Sequence, residues 1–87
     1  MSQVRVLHQE RPVYPVMARM TRIQGEVELL ITVDEHGRPA EVVPTRGPVQ
    51  LQPEAVRCAQ GWRFEPARMG GAPVAARFRL TIQFRLN

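Results

Sequence analysis

Few residues in this chain suit covalent or metal chemistry, and their surroundings argue against it. Cys58 is the single thiol, and His8 and His36 are the two imidazoles, among 87 residues. A reactive cysteine needs a nearby base or cation that holds it as the thiolate. Cys58 falls instead in the series Ala55, Cys58, Ala59, Trp62, at i, i+3, i+4 and i+7. That is the spacing of one apolar helix face, so Cys58 reads as a buried, inert thiol. His8 and His36 stand alone, with no cysteine or carboxylate at ligand spacing, and make no metal site. Gly70-Gly71 lacks the Lys-Ser/Thr and helix that follow in a phosphate loop, and reads as a turn. No carboxylate pair or nucleophile–base set stands out. The sequence therefore predicts no enzyme, with no catalytic residue, no metal and no cofactor.

Recognition is the chemistry that remains. The chain carries 12 basic residues against 8 acidic ones, a net charge of +4, and every basic residue is arginine. The arginines are scattered from Arg5 to Arg85, whereas a nucleic-acid binder gathers its cations on one face or in one run. One cysteine excludes an intrachain disulfide, so the fold must stand on its core. With 44% hydrophobic residues such a core is available, and the composition of a disordered chain is not met. The length suits one small domain. No apolar run approaches the ~20 residues of a membrane helix, and no signal peptide is expected at the start. Met1-Ser2 ahead of Gln3 suits an added start codon.

The elements that position these groups follow from periodicity and turn residues. Residues 1–13 read as an extended, partly mobile arm, with Pro12 and Pro15 holding Val13-Tyr14 extended. Pro15 opens a short helix over Pro15–Arg22, with Val16, Met17 and Met20 as its buried positions. In Glu26–Val33, Val27, Leu29, Ile31 and Val33 share one face of a half-buried strand. Asp34–Gly37 is a hairpin loop, and Arg38–Val43 is the returning strand, stopped by Pro44. Pro53 opens a second helix, and Trp62 and Phe64, which continue its apolar stripe, read as core. Met69–Pro73 is a turn. In Val74–Leu86, Phe78, Leu80, Ile82, Phe84 and Leu86 alternate with Arg77, Arg79, Thr81, Gln83 and Arg85. That strand is long, and its far end is expected to project past its partner.

A hairpin, a third strand and two helices predict an α+β fold, a three-stranded antiparallel sheet with two helices packed on its apolar face. One domain over residues 14–87 then stands behind the arm of residues 1–13. On the solvated face Glu26 and Glu28 would oppose arginines of the last strand.

Two segments carry a resemblance. The first is Tyr14-Pro15-Val16-Met17-Ala18-Arg19, followed by Gly25-Glu26-Val27 and Val33-Asp34-Glu35-His36-Gly37. The second is Trp62-Arg63-Phe64-Glu65-Pro66-Ala67, then Gly71-Ala72-Pro73-Val74 and the closing Ile82-Gln83-Phe84-Arg85-Leu86. Together, over about 75 residues in order, they resemble the TonB C-terminal domain family of energy transducers. Departures lie at Thr45-Arg46-Gly47-Pro48 and Gln52-Pro53-Glu54, in a loop and a helix entry, and they leave the subfamily open.

The resemblance implies the periplasmic receptor-binding end of a protein anchored in the inner membrane by a helix and a Pro-rich spacer. Its implied partners are inner-membrane proton-driven motor proteins and outer-membrane TonB-dependent transporters, whose TonB box adds as a strand. The implied cargo is iron-siderophore, haem or a similar substrate. Positions just ahead of the Tyr-Pro pair meet the transporter in relatives; here they are Glu10, Arg11, Pro12 and Val13. Tyr14 is either a packing residue or a partner contact. The last strand, an edge by the family pattern, offers Arg77, Arg79, Thr81, Gln83 and Arg85. Two other readings compete: a single-stranded RNA-binding α/β module, and a structural domain that self-associates as a homodimer through a free edge. Against the first, Phe78 and Phe84 share the inward face, so no nucleic acid is expected.

Overall fold

The alternating run Val27–Val33 becomes the middle of a sheet. The computed structural model describes residues 5–87; residues 1–4, where the predicted arm begins, lie outside the described residues. The chain runs β1 (Arg5–His8), α1 (Val16–Met20), β2 (Gly25–Val33), β3 (Pro39–Arg46), α2 (Gln52–Gln60), β4 (Arg63–Glu65), β5 (Ala67–Met69), β6 (Ala72–Val74) and β7 (Ala76–Phe84). A three-stranded antiparallel sheet has the order β3-β2-β7. Val27, Leu29, Ile31 and Val33 are all buried on one face of β2, as a period of two requires. Against that face α2 buries Ala55, Cys58 and Ala59, and α1 buries Ala18. Leu51, Trp62, Phe64, Ile82 and Phe84 complete one core. This is the α+β architecture expected from the sequence, joined by two short ladders, β1 with β4 and β5 with β6.

Aromatic rings tie the ends of the core together. Phe64 stacks near Trp62, with centroids 6.0 Å apart, and meets Phe78 edge-on at 5.1 Å. Tyr14 meets Phe84 edge-on at 5.6 Å, and its hydroxyl donates to the Ile23 carbonyl. At the β2–β3 turn, Asp34 Oδ1 accepts from the His36 and Arg38 N–H groups at 2.9 and 3.0 Å. The Arg38 N–H, foremost, holds the Asp34 carboxyl below its ordinary value. Gly37 at φ 83° closes the turn, and a Cβ there would lie 1.9 Å from the Phe64 carbonyl oxygen. The Phe64 N–H donates back to the Gly37 carbonyl at 2.9 Å, stitching the hairpin tip to β4.

Some expectations fail, each for a local reason. The first helix is one short turn, because Arg22 at φ 58° swings the chain toward β2. A helix this short buries one residue, Ala18, and leaves Val16, Met17 and Met20 outward at 71%, 69% and 71% exposure. β3 does not stop at Pro44 but runs through it to Arg46, which an outer strand permits because that N–H is not needed for pairing. The long closing strand is divided. Residues 67–74 fold into their own β5–β6 hairpin across Gly70-Gly71, so β7 starts only at Ala76. β7 is then matched to β2 along its whole length, from Val33↔Ala76 to Gly25↔Phe84, and does not project.

Candidate functional site

The two outer edges of the sheet are unequal, and the sequence makes them so. β3 carries Pro39 and Pro44, and its register slips at Ala40 and Thr45. Prolines and bulges remove or displace ladder groups and make an edge unfit for pairing. β7 has no proline and keeps unbroken register with β2, its one partner strand among the described residues. In an antiparallel pair about half the N–H and C=O groups of an outer strand point away from its neighbour. β7 therefore presents an open ladder.

The extended segment ahead of α1 forms the opposite wall, and α2 holds it. Glu54 Oε2 accepts from the Val13 N–H at 2.6 Å, and the Cys58 thiol donates to the Glu10 carbonyl at 3.3 Å. Gly61 lets the segment come close, since a Cβ there would lie 2.5 Å from Glu10 Cγ. Further up, β1 pairs with β4 through Arg5↔Glu65, Val6↔Phe64 and His8↔Arg63. Arg57 grips Glu54 through Nε at 2.8 Å and Nη2 at 2.6 Å. The Arg57 hydrogen bonds, helped by the Val13 N–H, hold the Glu54 carboxyl below its ordinary value. Burial pushes the Cys58 thiol up, so it acts as a neutral donor and not as a thiolate nucleophile.

Between the two walls lies a groove of 330 Å³. Gln9, Glu10, Arg11 and Pro12 line one side, Thr81, Ile82 and Gln83 the other, with Trp62 also contributing. Trp62 is only 6% exposed, and its indole N–H has no hydrogen-bond partner among the described residues. A groove with a free ladder along one wall can take an extended peptide by main-chain hydrogen bonds. Nothing on its walls forms a nucleophile–base pair.

The structure thus gathers Glu10, Arg11 and Pro12 with Thr81 and Gln83. The other predicted positions are placed elsewhere. The Val13 N–H is taken by Glu54, and Tyr14 packs on Phe84. Arg77 and Arg79 turn across the open face toward β2, to Thr32 Oγ1 at 3.4 Å and Glu28 Oε1 at 3.8 Å. Gln83, while lining the groove, also donates across the sheet face to Glu26 Oε2 at 3.0 Å. Arg85 lies past the end of β7, beside Arg19 and Arg22. Sequence reasoning missed Gln9 and Ile82 as lining residues, Trp62 as more than core, and the latch of Glu54, Cys58 and Gly61. A glycine just ahead of a core tryptophan was the one visible signal of that close approach. The solvated sheet face presents Glu28, Leu30, Thr32, Arg77, Arg79, Thr81 and Gln83, and Phe78 and Phe84 belong to the core side. It offers no ring on which a base could stack.

A family model described as Gram-negative bacterial TonB protein C-terminal matches residues 10–86. Protein TonB of Pseudomonas aeruginosa is 34% identical over 88 aligned positions, covering 99% of this chain and 26% of that protein. Protein TonB of Vibrio cholerae is 32% identical over 81 positions, covering 91% and 33%. The chain thus spans about a quarter to a third of the length of these relatives. The solution NMR structure of the Pseudomonas aeruginosa TonB CTD is similar with a TM-score of 0.77 at 30% identity, covering 99% of this chain and 89% of that one.

Proposed function

This chain belongs to the family of Gram-negative bacterial TonB protein C-terminal domains, and on that premise we propose that it captures the TonB box of an outer-membrane transporter as a strand added to β7. It is a binding module, not an enzyme. In the whole protein it stands on the periplasmic side of an inner-membrane anchor and carries work from proton-driven motor proteins to the transporter, for uptake of iron-siderophore, haem or similar cargo.

The observation that carries this reading is the free, proline-free edge of β7 facing the groove walled by Gln9–Pro12. If about 4–6 backbone bonds form, each contributing about 0.5–1.5 kcal/mol net, the gross gain is a few kcal/mol. Ordering the peptide offsets part of that gain. The grip is reversible, as a coupling that engages and releases requires. The test is a titration of isotope-labelled chain with the N-terminal segment of a TonB-dependent transporter. The reading expects amide shifts along 76–84 and at 9–11; shifts confined to β3, or none, would refute it. A second copy of the chain competes for the same edge. Sedimentation over a concentration series detects it as a dimer that the transporter segment dissolves.

A further inference from the structure

The strand-adding edge ends in a cluster of unpaired cations, and we infer that this cluster is an anion-binding subsite for a carboxylate of the same partner segment, just beyond the part that pairs with β7. The inference rests on the strand-addition reading. Arg85 directly follows Phe84, the last residue in the β7 ladder. It shares a pocket of 340 Å³ with Arg19 and Arg22, lined also by Tyr14, Leu86 and Asn87, whose terminal carboxylate pairs with none of the three arginines. No aspartate or glutamate side chain of the described residues lines that pocket. All three arginines are exposed. None has an ion-pair partner among the described residues, where the arginine ion pairs use Arg5, Arg57 and Arg79.

Two local features assemble these cations despite their repulsion. The Arg19 guanidinium lies over the Tyr14 ring, 5.9 Å from its centroid. Tyr14 is itself fixed by the Ile23 carbonyl and the edge contact with Phe84. Arg22 sits just after the helix cap at φ 58°. Glycine ordinarily takes that left-handed position, because a Cβ is strained there. Glycine would relieve the strain and carry no charge; arginine keeps the strain and adds a guanidinium to the pocket. Strained non-glycine residues of this kind cluster at ligand sites.

A carboxylate is the matching ligand, since a guanidinium offers planar, forked donors to it. Continuity with β7 makes it a carboxylate of the docked segment: a strand paired along β7 that runs on past Phe84 comes to Arg85 next. The subsite would then select among partner segments by the charge that flanks their paired residues.

The test uses the intact chain and four synthetic peptides built on one alternating apolar segment. Two carry an Asp-Glu pair, one at the amino end and one at the carboxyl end; two carry Asn-Gln in the same places. One acidic peptide is expected to bind about three- to tenfold more tightly than its amide twin, the gain that one or two exposed ion pairs provide. That preference disappears in about 0.5 M salt and in the Arg22→Gln and Arg85→Gln variants, and Arg22→Lys keeps part of it. If all four peptides shift the amides of Thr81–Gln83 alike, with no preference for acid, the inference fails and strand addition stands. If none shifts β7, strand addition fails and takes the inference with it. Inorganic phosphate that shifts the three guanidinium signals, where the acidic peptides do not, would overturn the carboxylate assignment.

Discussion

Replacing Glu54 with glutamine asks how firmly the segment ahead of α1 is held as a wall of the groove. The Glu54 side chain is 13% exposed and accepts from the Val13 N–H at 2.6 Å. A hydrogen bond to a charged group contributes about 1.5–3 kcal/mol, and the ion pair with half-exposed Arg57 adds about 0–1 kcal/mol. Glutamine keeps one carbonyl acceptor, so the expected loss at neutral pH is about 1–2 kcal/mol. For a domain of this size that lowers Tm by about 5–15 °C.

The pH dependence sharpens the test. The carboxyl is held below its ordinary value of 4.5, principally by Arg57. Its contribution to stability is therefore complete above that value and is lost as pH falls through the lower folded value. Glutamine does not titrate, and a protonated glutamate resembles it. The gap between the two proteins in urea unfolding should be widest at neutral pH and close in strong acid. Amide exchange at Val13 should quicken in the variant, while that of Ile31, in the sheet centre, should not at matched stability. A gap that stays constant into acid, or an unchanged Val13, would refute the latch.

Two further outcomes test the framework beneath the site. Tyr14→Phe keeps the ring against Phe84 but leaves the Ile23 carbonyl without its donor; urea unfolding should register a loss of about 1 kcal/mol. Gly37→Ala forces a Cβ into a left-handed position and onto the Phe64 carbonyl, 1.9 Å away. It should cost about 3 kcal/mol or more and shift the amides of β4 as well as those of the turn.

The parts legible in the sequence are those where one periodicity meets one environment. β2 and α2 each present an unbroken apolar pattern to the same core, and Asp34–Gly37 has the chemistry of its turn. Pro44 misled because a proline ends a central strand but not an outer one, and which strand lies outside is a property of the assembled sheet. The alternation through Val74–Leu86 hid a break, because the β5–β6 hairpin satisfies its own backbone and leaves side-chain order almost unaltered. Val16, Met17 and Met20 look like a helix face, but a single turn cannot bury them. The groove was half visible. Its β7 wall follows from the closing strand; its other wall depends on Glu54, Cys58 and Gly61 meeting residues more than forty positions away, which no local pattern encodes.

Hydrogen exchange along β7, with and without a transporter segment, addresses the open ladder most directly. In the free chain, amides that alternate along 76–84 should exchange fast while their neighbours, bonded to β2, are protected. Bound segment should protect the fast set alone and leave the slow set unchanged. Uniform protection of β7 in the free chain, or a fast set that stays fast at saturation, would contradict docking at this edge.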